Sequence, residues 1–239
     1  MSKFISKYLD SINDKIGIKK EKRLVYYCAT GKYIDIVKIN INELKKYYSD
    51  DIILLTNNSD IKISNVKSYI YNKDPTIGRA FIDEYINIHD YDKIMYLDAD
   101  AIPLKNFFKI WDINNKDIGV SVQTLKIGQC KNRYKFWFTQ KMSDDEITKY
   151  KDRHVINSGV LITKINIFKE WRKIINNNRY EDQSSLNKLL LTNNSKYHEI
   201  KELISSEKWM FNTKPNGSIY HFCDKNVEEK ILRIKKMFL

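Results

Sequence analysis

The sequence has few of the residues that mark disulfide-rich, fibrous or low-complexity proteins. It contains three Cys, seven Gly and three Pro among 239 residues, and this composition argues against those classes. The cysteines, Cys28, Cys130 and Cys223, lie far apart without C-x-x-C spacing, so we expect neither a disulfide framework nor a zinc site. No stretch approaches the roughly 18 consecutive apolar residues of a membrane span, and the N-terminus lacks the apolar core of a signal peptide. We therefore expect a globular protein with a cytoplasmic location.

Apolar, aromatic and basic residues are plentiful. A hydrophobic fraction of 42% and an aromatic fraction of 13% are sufficient for a sizeable core, and the length suits one α/β domain. The net charge of +12 favours anionic partners in general. The lysines are nevertheless spread along the chain without a long basic run, so specific nucleic-acid binding is not expected. Heavy use of Lys, Asn, Ile and Tyr is typical of a protein from an AT-rich genome.

The chain divides into a short N-terminal extension and one main domain. Apolar residues recur at three- and four-residue spacing within residues 1–20, which predicts an amphipathic helix packed on the body of the protein. Because lysines flank this stripe, peripheral membrane contact is the weaker alternative. Residues 21–239 show no convincing linker and no repeat, so we interpret them as a single domain.

Strands and helices alternate in the first half of this domain. "RLVYYCAT" and "DIILLTN" are typical of buried strands, and "VKSYIY" is a candidate third strand. Apolar spacing predicts helices over 34–48 and 76–89. In the second half, "IGVSVQ" and "VINSGVLITKI" are typical of strands, as are "HEIKELI" and "SIYHF", and helices are expected around Trp171 and over "EDQSSLNKLLL". The pattern predicts an α/β fold with a mostly parallel central sheet and helices on both faces. Ligands of such sheets bind outside the carboxyl ends of the strands.

Two aspartates follow the apolar strand in "KIMYLDADAIPLKNF", at residues 93–107. Like charges this close repel one another, so the pair needs a cationic partner. In extended backbone Asp98 and Asp100 would point to the same side while Ala99 turns away. Asp carboxylates suit Mg²⁺ or Mn²⁺, and such an ion can bridge the oxygens of a diphosphate. The pattern therefore favours a metal site over two solvated aspartates in a turn.

Several motifs, in order, resemble those of one known family. "YYCATGKY" resembles a first-strand nucleotide-binding segment, and "KIMYLDADAIPLKNF" resembles a D-x-D segment. "VINSGVLI", "EDQSSLN" and "YHF" resemble an N-S-G strand, a D-Q helix start and a late histidine strand. Together they span about residues 23–223 and resemble the glycogenin-like glycosyltransferases of family 8. The resemblance implies the GT-A fold, a Rossmann-like nucleotide-diphospho-sugar transferase fold, and retaining transfer of a sugar from a nucleotide donor.

The resemblance also implies a metal site and a donor site. Asp98, Asp100 and His221 would be the metal ligands, with Mn²⁺ preferred and Mg²⁺ as the alternative; for His221 a satisfied core histidine is the other reading. Thr30 and Tyr33 would meet the uridine by hydrogen bonding and stacking, or else form an ordinary strand-to-helix turn.

Further donor contacts are implied beside the D-x-D segment. Arg79 in "TIGRAF" would grip phosphate with its guanidinium, unless it is an exposed helix arginine. Ala99, between the two aspartates, belongs to the same donor-contacting segment.

The transferred sugar would lie against two further motifs. Asn157 and Ser158 would project toward it while Gly159 permits close backbone approach; the alternative is a polar pair bonded to a neighbouring loop. Asp182 would bind sugar hydroxyls and Gln183 would lie beneath the anomeric carbon, whereas a helix N-cap is the other role open to Asp182.

The sequence also departs from the family pattern. After His221, "HFCDKNVEEK" lacks the usual Gly, Lys, Pro and Trp of a phosphate-gripping loop, and Lys225 or Lys230 is the candidate substitute. The resemblance implies a UDP-glucose-like donor, but the D-Q segment lacks its usual glycines, so a sugar other than glucose is the alternative. The aromatic segment 124–153 suits an acceptor-side lid and a packed insertion equally well.

The resulting hypothesis is a metal-dependent transferase that moves a hexose from a UDP-sugar to a hydroxyl of a glycan or protein acceptor. A haloacid-dehalogenase-type phosphotransferase also uses an apolar strand followed by D-x-D, although its pair usually lies near the N-terminus and is often followed by Thr or Val where Ile102 stands here. A non-enzymatic basic module that binds nucleic acid or an anionic surface is the third hypothesis. The sequence does not define the oligomeric state, and a homodimer is compatible with it.

Overall fold

The structure is a computed structural model of the chain. It describes residues 21–113, 116–131, 138–175, 181–193, 197–201, 203–206, 215, 217–223 and 226–238. The helix predicted within residues 1–20 lies outside these described residues.

The described residues form ten strands, five α-helices and several short 3-10 helices. The strands are β1 (Arg23–Cys28), β2 (Asp51–Thr56), β3 (Lys67–Ile70), β4 (Lys93–Leu97), β5 (Ala101–Pro103), β6 (Ile118–Lys126), β7 (His154–Thr163), β8 (Tyr197–Ile200), β9 (Ile204–Ser206) and β10 (Ile219–His221). The helices are α1 (Tyr33–Leu44), α2 (Asp144–Lys149), α3 (Phe168–Ile174), α4 (Asp182–Thr192) and α5 (Val227–Phe238), with 3-10 helices at Gly78–Ala80, Ile82–Glu84, Ile88–Asp90, Phe107–Trp111 and Ile127–Lys131. None of the helices in the described part of the chain is both long and apolar enough to span a lipid bilayer.

A seven-stranded sheet forms the centre of the fold, in the order β3-β2-β1-β4-β7-β6-β8. The first four strands run parallel, and β6 and β8 are also parallel. Strand β7 runs antiparallel to both of its neighbours, β4 and β6. The predicted α/β class with a mostly parallel central sheet is therefore confirmed, with one reversed strand inside the sheet.

The sheet is covered on both faces. Along β1, Tyr26 packs into one apolar cluster with Trp171 of α3, and the next residue, Tyr27, packs into another with Ile41 of α1. Successive side chains of a strand point to opposite faces, so each face of β1 contributes to a separate core. Apolar residues on both faces are typical of a strand inside a covered parallel sheet.

The predicted continuous helix over residues 76–89 is wrong. The side chain of Asp74 accepts hydrogen bonds from the backbone N–H and the hydroxyl of Thr76, which closes a tight turn before the segment. Asn87 accepts a bond from the backbone N–H of residue 89 and starts a new 3-10 turn. These local side-chain bonds compete with a regular helix. The segment forms three short 3-10 helices instead, Gly78–Ala80, Ile82–Glu84 and Ile88–Asp90, and Arg79 is buried.

The expectation of extended backbone through the D-x-D segment is also wrong. The segment is a tight turn between β4 and β5, closed by a 2.9 Å hydrogen bond from the backbone N–H of Ala101 to the carbonyl of Asp98. The buried Asn40 of α1 holds this turn, since its amide nitrogen donates to the carbonyls of Ala99 at 3.1 Å and Ala101 at 2.7 Å. The hydroxyl of Tyr27 donates in turn to the Asn40 amide oxygen at 3.1 Å. A side chain of the neighbouring helix thus defines the shape of the D-x-D turn.

We expect Asn40→Ala to reduce the free energy of unfolding by about 2 kcal/mol, because it leaves the two carbonyls and the Tyr27 hydroxyl without their partner. Urea unfolding followed by circular dichroism measures this loss. Lys38→Ala, at an exposed position of the same helix, is the matched control and should change stability by less than about 0.5 kcal/mol. Equal stability of the two variants would show that Asn40 does not support the turn.

Candidate active site

Three potential metal ligands meet where β4 ends. Asp98 and Asp100 come from the turn between β4 and β5, and His221 comes from β10, which pairs antiparallel with β5 so that His221 lies opposite Ala101. The Nε2 atom of His221 lies 3.2 Å from Oδ1 of Asp100 and 3.5 Å from Oδ2 of Asp98. One ligand atom from each residue lies within 4.8 Å of the others. The structure thus brings together all three sequence-predicted ligands, although His221 follows Asp100 by more than a hundred residues.

The donor set and its surroundings fit a divalent cation. Two carboxylates with one imidazole suit Mn²⁺. Burial alone would raise the pKa of Asp98, but Arg79 and His221 hold it below its usual range. Asp98 is therefore kept as a carboxylate, the form that binds a metal.

Gly159 of β7 leaves the space that the cluster occupies. A Cβ atom added to Gly159 would lie 2.6 Å from Oδ2 of Asp98 and closer still to Cε1 of His221. The backbone N–H of Asp98 donates to the Gly159 carbonyl at 2.8 Å, so the strand and the D-x-D turn are joined directly. The antiparallel direction of β7 brings this part of the N-S-G motif beside the end of β4.

Arg79 lies between the three-ligand cluster and Asp182. Its guanidinium lies 3.1 Å from Oδ1 of Asp98 and 3.4 Å from Oδ2 of Asp182, and it donates to the Ser158 hydroxyl at 2.7 Å. The residue is 9% exposed, so the alternative of an exposed helix arginine is wrong. Burial opposes its charge, but Asp98 and Asp182 raise the pKa of Arg79, and it stays cationic. Its contact with a donor phosphate remains a prediction.

The residues assigned to the transferred sugar form a connected group. The Ser158 hydroxyl donates to Oδ2 of Asp182 at 2.9 Å, and the Asn157 amide oxygen accepts from the backbone N–H of Gly159 at 2.8 Å. Asp182 is the first residue of α4, and the N-cap position belongs to Glu181, so the N-cap alternative for Asp182 is wrong. Burial raises the pKa of Asp182. The side-chain nitrogen of Gln183 is buried without a hydrogen-bond partner among the described residues.

The predicted uridine-contacting residues lie in the turn after β1. Gly31 adopts a positive φ of 55° there, and the carbonyl of Thr30 accepts from the backbone N–H of Tyr33 at 3.3 Å. The Tyr33 ring is 38% exposed, as a stacking platform requires. The Nζ atom of Lys230 lies 5.5 Å from the centre of this ring and forms an ion pair with Asp100. Lys230 therefore links this turn to the metal cluster, whereas Lys225 lies outside the described residues.

Sequence reasoning missed two supports of the cluster. Tyr96 donates its hydroxyl to Oδ1 of Asp98 at 2.7 Å, and the i, i+2 spacing of a strand could have placed the two on one side. Asn40 was missed as well. The sequence does show that Asn40 is a polar residue between Val37 and Ile41 on the apolar face of a predicted helix. That position does not reveal which carbonyls the Asn40 amide contacts.

The described part of the 124–153 segment packs against the body of the protein. Ile127, Phe138 and Ile147 form an apolar cluster with Leu191 of α4. Lys141 forms a 2.8 Å ion pair with Glu181, the residue directly before Asp182. The aromatic residues 134, 136 and 137 lie outside the described residues, and the lid role remains a prediction.

Comparisons with known proteins show the family of the chain through a family model and its fold through solved structures. A family model described as Glycosyl transferase family 8 matches residues 3–226. The crystal structure of the galactosyltransferase LgtC with donor and acceptor sugar analogues has a TM-score of 0.58 and 16% identity, over 89% of this chain and 95% of that chain. The WbbM bifunctional glycosyltransferase has a TM-score of 0.61 and 11% identity, over 91% of this chain and 50% of that chain.

A third solved structure is similar over nearly its full length. A glycosyltransferase involved in glycosylation of the major capsid of PBCV-1 has a TM-score of 0.59 and 11% identity, over 90% of this chain and 99% of that chain. At such low identities, these likenesses show a shared fold. No curated protein sequence matches the chain.

We expect Gly159→Ala to abolish Mn²⁺ binding, because its methyl group would displace the Asp98 carboxylate and the His221 ring. Electron paramagnetic resonance of free Mn²⁺ measures the binding. Gly128→Ala adds the same methyl group against Lys151, at a position remote from the cluster, and should bind the ion like wild type. Unchanged Mn²⁺ affinity in Gly159→Ala would contradict the assigned ligand set.

We expect Arg79→Met to lower the free energy of unfolding by about 3–5 kcal/mol, because it leaves the buried Asp182 and the partly buried Asp98 without their shared guanidinium. Chemical denaturation measures the loss, and Arg153→Met, which removes a half-exposed arginine paired with Glu199, should cost less than about 1 kcal/mol. In a double-mutant cycle, adding Asp182→Asn should restore part of the stability lost in Arg79→Met. Strict additivity would argue that Arg79 and Asp182 do not interact.

Proposed function

The chain belongs to glycosyl transferase family 8, and we propose that it is a metal-dependent, retaining transferase that moves a hexose from a UDP-sugar to a hydroxyl of a glycan or protein acceptor. Because the chain belongs to a glycosyltransferase family, the two alternative hypotheses are set aside. These were a haloacid-dehalogenase-type phosphotransferase and a non-enzymatic basic module. The observation that carries the proposal is the convergence of Asp98, Asp100 and His221 beside Arg79 and Asp182. A cytoplasmic location and a homodimer remain predictions.

The three-ligand cluster is proposed to hold the metal, with Mn²⁺ preferred because one ligand is an imidazole. When bound, the ion supplies Lewis-acid stabilisation of the leaving diphosphate. The cluster lies beyond the carboxyl end of β4, where ligands of open α/β sheets bind. Tyr33 and Thr30, in the turn after the neighbouring β1, are proposed to hold the uridine.

The sugar is proposed to lie between the metal cluster and the start of α4. Asp182 would accept hydrogen bonds from sugar hydroxyls, and Arg79 and Ser158 orient its carboxylate through the contacts described above. Asn157 and Gln183 would offer amide groups to the sugar. Because Asp182, Ser158 and Asn157 are held by hydrogen bonds before the donor arrives, little reorganisation of these three is needed when it binds.

The same contacts favour attack of the acceptor from the face of the leaving group. A covalent mechanism needs a free carboxylate beneath the anomeric carbon. The Asp182 carboxylate is engaged by Arg79 and Ser158, and the Gln183 amide is a poor nucleophile. We therefore propose same-face attack, in which a diphosphate oxygen of the departing UDP takes the proton of the acceptor hydroxyl.

A hydrolysis panel of nucleotide sugars with Mn²⁺ or Mg²⁺ tests the proposal. We expect release of UDP from at least one UDP-hexose, more rapidly with Mn²⁺, and none after chelation of the metal. Asp100→Asn should lower the rate roughly 100-fold or more, because it removes a charged ligand. Asp152→Asn, at an exposed position, should retain the wild-type rate. Absence of turnover with every UDP-sugar, or full activity in Asp100→Asn, would refute the assignment.

A further inference from the structure

Lys230 is a buried cation in the middle of the candidate site. It belongs to α5, and it is 6% exposed although Lys235 and Lys236 of the same helix are exposed. Its Nζ atom forms an ion pair with Oδ2 of Asp100. A buried lysine is costly unless a charged partner offsets its desolvation. Asp100 is that partner, so the position of Lys230 depends on the carboxylate of a proposed metal ligand.

The docking of α5 does not itself require a lysine at this position. The helix is anchored by Ile234, which packs in an apolar cluster with Ile36 of α1 and with Tyr220 and Phe222 at β10. Lys230 lies one turn before Ile234 on the same side of the helix, yet its charged end reaches the aspartate instead of solvent. These apolar contacts dock the helix, so the Lys230 ammonium is not needed for docking and contacts Asp100 in the candidate site.

The position of the Lys230 ammonium coincides with the expected course of the donor. It lies between the Tyr33 ring, at 5.5 Å from the ring centre, and the Asp100 carboxylate. In the proposed function these two residues hold opposite ends of a uridine diphosphate, the base and the metal-bound phosphates. An ammonium between them lies where the diphosphate must pass.

A divalent cation and Lys230 compete for the same carboxylate. One oxygen of Asp100 faces His221 at 3.2 Å and the other is bound by Lys230. A metal ion held by Asp98, Asp100 and His221 would stand close to the ammonium, and the two like charges would repel. The flexible four-carbon stem of lysine lets the ammonium move to a new partner while the helix stays docked.

We propose that Lys230 is an exchangeable counter-ion, which neutralises Asp100 while no metal is bound and transfers to the donor diphosphate when a divalent cation takes its place. This inference rests on the proposed function and adds a residue that positions the donor. It requires that Lys230 opposes binding of the metal alone and favours binding of UDP once the metal is present. Removing the charge should therefore shift the two affinities in opposite directions.

Binding of Mn²⁺ and of UDP to Lys230→Met tests the proposal without any measurement of activity. We expect this variant to bind Mn²⁺ alone roughly tenfold more tightly than wild type, and to bind UDP roughly tenfold more weakly in saturating Mn²⁺, because one charge-assisted hydrogen bond is lost in each state. Electron paramagnetic resonance of free Mn²⁺ measures the affinity for the ion, and titration calorimetry measures the affinity for UDP. Lys236→Met removes an exposed lysine of the same helix and should match wild type in both.

The outcomes separate this inference from the proposed function. If wild type binds Mn²⁺ and UDP but Lys230→Met shows neither shift, the counter-ion role is refuted and the transferase assignment stands. If wild type binds neither Mn²⁺ nor UDP, both the counter-ion role and the proposed function are refuted. Lys230→Arg keeps the positive charge and should keep the weak wild-type affinity for Mn²⁺ alone; affinity as tight as in Lys230→Met would refute competition by charge. Should Lys230→Met fail to fold, Lys230→Gln carries the same two expectations.

Discussion

The site depends on the neutralisation of carboxylates that are crowded together and largely removed from water. Asp98, Asp100 and Asp182 would repel one another and favour their protonated forms if they were left alone in this environment. Arg79 lies between Asp98 and Asp182, and Lys230 pairs with Asp100. The cations come from separate segments of the chain, so the site exists only when those segments are folded together. This electrostatic requirement links the proposed metal site to the proposed sugar site.

Backbone pairing brings the charged groups to one place. The reversed strand β7 presents Gly159 to the D-x-D turn. Outside the central sheet, β10 pairs with β5, so that His221 lies opposite Ala101. Asn40 holds the turn from the other face through two carbonyls. Hydrogen bonds of the main chain and one buried amide thus set the positions of the ligands before any ion or donor binds. Such preorganisation is what electrostatic stabilisation of a leaving group requires.

The helix α5 is proposed to supply the positive charge that the segment after His221 lacks. The segment after His221 lacks the expected basic order, yet a lysine reaches the same cluster from α5, which is held on α1 by apolar contacts. A cation on a docked helix keeps its position better than one on a loop, and its side chain alone needs to move. In the proposed function, a different structural element thus provides the positive charge near the diphosphate.

The sequence by itself determined the class of fold and the grouping of Asp98, Asp100 and His221, because the first depends on apolar alternation and the second on the order of motifs along the chain. The roles of the sugar-side motifs remain predictions. The sequence did not reveal that residues 76–89 form short 3-10 helices between the side-chain turns of Asp74 and Asn87, or the direction of β7. It also could not show that Arg79 is shared by two carboxylates or that Lys230 meets Asp100. Those pairings join residues that are 19 to 130 positions apart, and only tertiary structure decided them, because a charge finds its partner by position in space rather than by position in the chain.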